Sequence, residues 1–166
     1  MSPVLVLLVD TNIVIEAVRT GCWNAITGQR EVVTVEECAA ELRRGNPSQR
    51  NYVVVTDAQI GRATIRALEP AAAAEFRLRY PNADGLDAGE RDLLALAATL
   101  TEVFEVCCAD KAALVAANAL EWLGRVVSLE AVAKSIGARP NPELKRQFTE
   151  AQMRAWRTSL DLGGPI

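Results

Sequence analysis

Four acids, Asp10, Glu37, Glu90 and Asp110, each stand at or within one turn of a helix start that the sequence predicts. Taken singly, each has an ordinary role. Asp10 and Asp110 suit helix N-caps, and Glu37 and Glu90 suit first-turn carboxylates favoured by the helix dipole. Helix geometry makes Glu90 less ordinary. Leu93, Leu94, Ala97 and Leu100 mark the buried face of its predicted helix, and Glu90 precedes the first three by three, four and seven residues. It therefore belongs to the inward stripe. Asp92 is turned about 200° away, so the two acids cannot share a site. A carboxylate aimed at a core is costly unless it is paired or binds a cation. Glu37 and Glu41 lie one turn apart on the same flank, and either could approach such a site.

The chain has no histidine. That removes the commonest general base, the commonest zinc ligand and every Ser-His or Cys-His catalytic pair. Asp10 and Asp110 end two apolar runs that would lie side by side at the centre of a parallel sheet. Carboxylates converging there raise one another's pKa unless a cation intervenes. Oxygen-only ligands select hard ions, Mg²⁺ or Mn²⁺. Such ions suit phosphodiester hydrolysis, because they activate water and stabilise charge on the scissile phosphate.

The rest of the composition sets limits. A chain of 166 residues, half of them hydrophobic and 23% charged, is long enough for one domain with a substantial core. The net charge of −3 gives no bulk basic field, so binding to a polyanion would need a local arginine cluster or a metal. The candidates are Arg43, Arg44 and Arg50, with Arg62 and Arg66 one turn apart on a predicted helix. A solvated surface is the ordinary role of each. Cys22, Cys38, Cys107 and Cys108 form no C-x-x-C pattern and read as reduced, buried side chains of a cytoplasmic protein. The N-terminal apolar run is too short to span a bilayer and has no basic segment before it, so no membrane partner is expected.

These residues need a frame. Residues 4–9 read as a buried strand that ends at Asp10, with a helix over 11–19. Strands are predicted at 31–34, 103–109 and 125–129, with 52–56 either a strand or an extended lead. Helices are predicted over 35–44, 58–68, from Pro70 to about 80, over 88–100, from Asp110 to 123, and from Ser128 to Gly137. Alternating strands and helices indicate an α/β fold, a three-layer α/β/α arrangement around a central parallel sheet of four or five strands. The character changes at Ala138. Pro140 and Pro142 break the chain, and an amphipathic helix is predicted over 143–160, with Leu144, Phe148, Ala151, Ala155 and Trp156 near one stripe. Residues 1–137 thus form the expected domain and 138–166 a C-terminal helical extension. That helix either packs on its own domain or meets a partner, such as the second copy of a homodimer.

The motifs together resemble the PIN domains. VDTN at 9–12 is similar to their opening motif, in which the aspartate is a metal ligand and the following hydroxyl residue supports it. TVEE at 34–37 resembles their T-x-x-E. GERDLLALA at 89–97 resembles the third motif, with Glu90 as its acid, and ADK at 109–111 resembles the fourth, with Asp110. The likeness runs over about residues 4–137 and implies a Mg²⁺- or Mn²⁺-dependent endoribonuclease. Asp10, Glu37, Glu90 and Asp110 would be its catalytic acids, and Asp10, Glu90 and Asp110 its metal ligands. Thr11 would support Asp10 or a bound water, and Glu41 is the other candidate for the second acid. Many bacterial and archaeal members are VapC-type toxins restrained by an antitoxin protein. Residues 49–80 and the C-terminal helix lie outside the minimal toxin pattern, and a stand-alone RNA-processing nuclease fits as well.

Three rivals remain. A haloacid dehalogenase-type phosphoryl-transfer enzyme needs a second acid two residues after the first, where this chain has Asn12. A receiver-like signalling module needs an acidic pair near the first strand end, and it is missing. A PIN-like domain without strong catalysis could bind RNA or a protein instead of cutting.

Overall fold

The N-terminal apolar run forms β1 (Leu5–Val9), the central strand of a five-stranded, all-parallel sheet. Its side chains alternate between the two faces, as the strand period requires. Val6 and Leu8 enter one hydrophobic core, and Leu7 and Val9 enter the other. A strand covered on both faces must be apolar at every buried position, hence the unbroken run. This computed structural model describes residues 3–45, 48–50 and 52–166.

From β1 the chain passes through α1 (Thr11–Arg19) and α2 (Trp23–Gln29) to β2 (Glu31–Val35), then α3 (Glu36–Arg44) and the single-turn α4 (Asp57–Ile60). β3 (Thr64–Arg66), α5 (Pro70–Arg79) and α6 (Ala88–Ala97) follow, then β4 (Val103–Cys107) and α7 (Lys111–Ala119). The last elements are β5 (Val126–Val127), α8 (Leu129–Ser135) and α9 (Glu150–Asp161). The strand order is β3-β2-β1-β4-β5. The chain winds outward on one side of β1, then returns to build the other side. The crevice between β1 and β4 is therefore the topological switch point, where open parallel sheets place their ligand sites.

The fold is a three-layer α/β/α sandwich. One core gathers Phe76, Leu93, Leu94, Leu114 and Met153 from α5, α6, α7 and α9. The other gathers Ile13, Trp23, Leu42, Leu129 and Val132 from α1, α2, α3 and α8. Among the described residues, no helix is long and apolar enough to cross a membrane.

Two expectations require correction. The helix expected over 58–68 is one turn long, closed at its start by a capping box between Thr56 and Gln59 and ended at Gly61. Beyond it Thr64–Arg66 is an edge strand paired with Val33–Val35 of β2, so Arg62 and Arg66 share no helix face. Residues 52 to 56 are an extended lead and not a strand. The second correction concerns the C-terminal helix. It begins at Glu150, because the Thr149 side chain accepts from the Gln152 N–H and stops the helix from extending backwards. Met153, Trp156 and Leu160 pack inward, while Ala151 and Ala155 of the expected stripe are exposed.

The chain after Gly137 is stitched to its own domain. Asn141 N donates to Thr20 O (3.0 Å), and Arg19 donates to Glu143 O (2.7 Å). The buried Glu16 carboxylate accepts from Lys145 N (2.9 Å) and from the Arg19 guanidinium. Burial alone would raise the Glu16 pKa, but these hydrogen bonds hold it below the ordinary carboxylate value.

Candidate functional site

Asp10 follows directly from the end of β1. Its Oδ1 accepts from Ile13 N (2.9 Å) and caps α1, while Oδ2 is buried with no hydrogen-bond partner. β1 and β4 run in register from Leu5 beside Val103 to Val9 beside Cys107, so the two strands end level. Asp110 thus follows β4 near the same place, where its Oδ1 accepts from Ala112 N (2.7 Å) and Ala113 N (3.3 Å) to cap α7. Thr34 of β2 donates its hydroxyl to Val9 O (2.8 Å), which ties the neighbouring strand to the end of β1.

Glu90 comes from the first turn of α6. Asp87 caps that helix by accepting from Glu90 N (2.9 Å). The Glu90 side chain is buried, and its Oε1 lacks a partner. Glu41 reaches across from α3, where its Oε2 accepts from the Thr11 hydroxyl. Gly89 makes that approach possible. A Cβ there would lie 3.0 and 3.1 Å from the two Glu41 carboxylate oxygens and 3.0 Å from Cys38 Sγ.

Asp10, Thr11, Asn12, Glu41, Asp87 and Glu90 line a pocket of about 80 Å³ with no lysine or arginine in its wall. Burial raises the pKa of Asp10 to about 7, with the charges of Asp87, Asp110 and Glu41 adding to the rise and the Ile13 N–H opposing it. Burial likewise raises Glu90 to about 9, with Asp110, Asp10 and Asp87 adding to it. Five carboxylates therefore act on one another through a poorly hydrated space. A larger cavity of about 380 Å³ lies between β5 and α9, away from these acids.

The geometry brings together Asp10, Glu90, Glu41 and Thr11, and puts Asp110 within electrostatic reach of the first two. Glu37 is turned elsewhere, its Oε1 accepting from Arg44 (2.9 Å). The Thr11 hydroxyl is committed to Glu41 and not to Asp10. Asp87, the N-cap of α6, and Asn12, next to Thr11, are pocket residues that were not among the candidate acids. The signal for Asp87 was its place three residues before an inward-facing glutamate. Of the candidate arginines, Arg43 pairs with Asp57 (3.2 Å), Arg44 with Glu37 and Arg66 with Glu102 (3.4 Å). Arg62 is held by Thr27 Oγ1 (2.8 Å) and Asn24 O (3.2 Å).

The donor set fits a hard divalent cation. It is all oxygen, it carries two orphaned buried carboxylate atoms, and the pocket has room for an ion with part of its water shell. Among the described residues, no three His, Cys, Asp or Glu side chains stand close enough together to hold a metal ion. No protein-family model, no curated protein and no solved structure matches the chain.

Proposed function

We propose that this chain is a PIN-like, Mg²⁺- or Mn²⁺-dependent endoribonuclease of the cytoplasm. Asp10, Glu90 and Asp110 are its metal-binding acids, and Glu41, rather than Glu37, is the fourth catalytic acid. The reading rests on one observation: Asp10 Oδ2 and Glu90 Oε1 are both buried without a partner beside a pocket walled by further acids. Leaving such atoms unsatisfied is costly, and a hard cation is the counter-charge that suits them. The RNA substrate is what the resemblance of these motifs to the PIN domains implies.

When bound there, the ion would supply Lewis acidity toward the phosphate and an activated water. The chain's own residues do the rest. The Ile13 N–H holds Asp10 by one oxygen and leaves the other available. Thr11 fixes the Glu41 carboxylate, and Gly89 leaves the space in which it sits. Without a cation, Glu90 keeps a proton at neutral pH, because its pKa stands at about 9. Metal binding must displace that proton, so affinity rises with pH.

The test is cleavage of fluorescein-labelled single-stranded RNA by the purified chain, with Mn²⁺, Mg²⁺ or EDTA. Cleavage in either metal, absent in EDTA and absent from an identically purified Asp10→Asn variant, is the expected result. A folded wild-type protein that binds RNA but cuts none in any metal would replace the nuclease with an RNA-binding module.

A further inference from the structure

The acid pocket does not stand alone. Asn12 and Glu41 also line a second cavity, of about 280 Å³, whose wall includes Gln49, Arg50, Tyr52 and Lys145. Two of its parts, Tyr52 and Lys145, are placed by specific contacts. Gly45 ends α3 at φ +31°, and a Cβ there would lie 2.6 Å from the Tyr52 hydroxyl and 2.8 Å from its Cε2. The Tyr52 ring is thus seated against bare backbone, with 36% of the residue still exposed. Lys145 is anchored through its backbone N–H on the buried Glu16 carboxylate (2.9 Å). Arg50 and Lys145 are exposed, and among the described residues neither forms an ion pair.

We propose that this cavity is a nucleotide subsite for single-stranded RNA beside the cleavage pocket. Arg50 and Lys145 hold a backbone phosphate, and the Tyr52 ring stacks a base. The inference rests on the nuclease reading for what the strand is doing there, but its chemistry stands apart. A pocket of acids repels a phosphate chain, so the strand needs cations close by, and four of the five arginines singled out by sequence, all but Arg50, are held by partners within the chain. Single strands are taken by cation-lined grooves with an aromatic platform, because every base offers a π-face. A duplex cannot use the ring, since its bases are stacked on one another.

The measurement is fluorescence anisotropy of labelled oligouridylate on the full chain carrying Asp10→Asn, across a salt series. The added double change Arg50→Ala, Lys145→Ala should weaken binding at least tenfold and flatten the slope of log K against log[salt] by about 1.4, the value for two lost phosphate contacts on a single strand. Tyr52→Ala should weaken binding by about tenfold, and Tyr52→Phe should restore it. Arg154→Ala, beside the separate cavity next to β5, should change neither affinity nor slope. An unchanged slope in the double variant overturns the proposal, as does binding of duplex RNA or of a polyglutamate peptide as tightly as the single strand. Binding that follows the expected pattern in a chain that never cuts upholds the subsite and sinks the nuclease. Metal-dependent cutting whose KM ignores all three substitutions does the reverse.

Discussion

Without a bound cation this protein should be unusually sensitive to alkali, and the acid pocket sets the size of the effect. Asp10 and Glu90 both bind a proton more tightly in the folded chain than in the unfolded one. Stability therefore falls with rising pH wherever the folded state keeps a proton that the unfolded state has released. Asp10, raised from 3.8 to about 7, contributes stability fully present below pH 3.8 and lost by about pH 7, on the order of 4 kcal/mol. Glu90, raised from 4.5 to about 9, loses on the order of 6 kcal/mol between those values. Each charge is part of the other's shift, so the joint loss is smaller than the two added together. It is still comparable with the whole stability of an ordinary domain, about 5–15 kcal/mol. The assay is urea unfolding in EDTA at about pH 5, 7 and 9, read as the midpoint with the slope m held as a control. The midpoint should fall across the series. Asp10→Asn, whose amide oxygen can still accept from the Ile13 N–H, should remove the part of the loss below about pH 7 and leave the variant more stable than wild type there by up to about 4 kcal/mol. Mn²⁺ at neutral pH should raise the wild-type midpoint and leave that of Asp10→Asn unmoved. A wild-type midpoint that stays flat or climbs from pH 5 to 9 in EDTA would refute the reasoning, as would an Asn variant with the wild-type pH dependence.

Four other substitutions separate the roles of neighbouring groups. Glu41→Gln should cut RNA cleavage by about 10–100-fold, while Glu37→Gln, already paired with Arg44, should stay within about twofold of wild type in the same initial-rate assay. Gly89→Ala should lower Mn²⁺ affinity severalfold by calorimetry, since its Cβ meets the Glu41 carboxylate at 3.0 Å. Thermal stability should barely move, because the contact offsets a helix-propensity gain of about 1 kcal/mol. Glu16→Ala should cost about 3–5 kcal/mol by urea unfolding, because it leaves Arg19 and Lys145 N without their buried acceptor. The Glu16 pKa lies below 4.5 in the folded chain, so its contribution in wild type is present above 4.5 and fades as pH falls through the folded value.

What could be read in the sequence, and what could not, follows the range of the forces involved. The unbroken apolar run of β1 is legible because burial on both faces leaves no other composition. The inward aim of Glu90 is legible because helix periodicity is local and Leu93, Leu94 and Ala97 supply the phase. β3 is not legible in that way. Thr64, Ile65 and Arg66 carry no apolar alternation, and what makes them a strand is pairing with Val33–Val35 some thirty residues earlier in the chain. The same limit divides the acids. Asp10 and Asp110 fall at strand ends that a parallel sheet must bring level, so topology alone joins them. Glu37 and Glu41 share a helix flank, and nothing local distinguishes them. The choice is made by α6, which offers bare backbone at Gly89 for one carboxylate, and by Thr11 of α1, which donates to it. A glycine directly before an inward-facing acid is therefore the informative residue. Gly89 costs helix propensity where alanine would be better, and what it gains in return is space for an acid from another element.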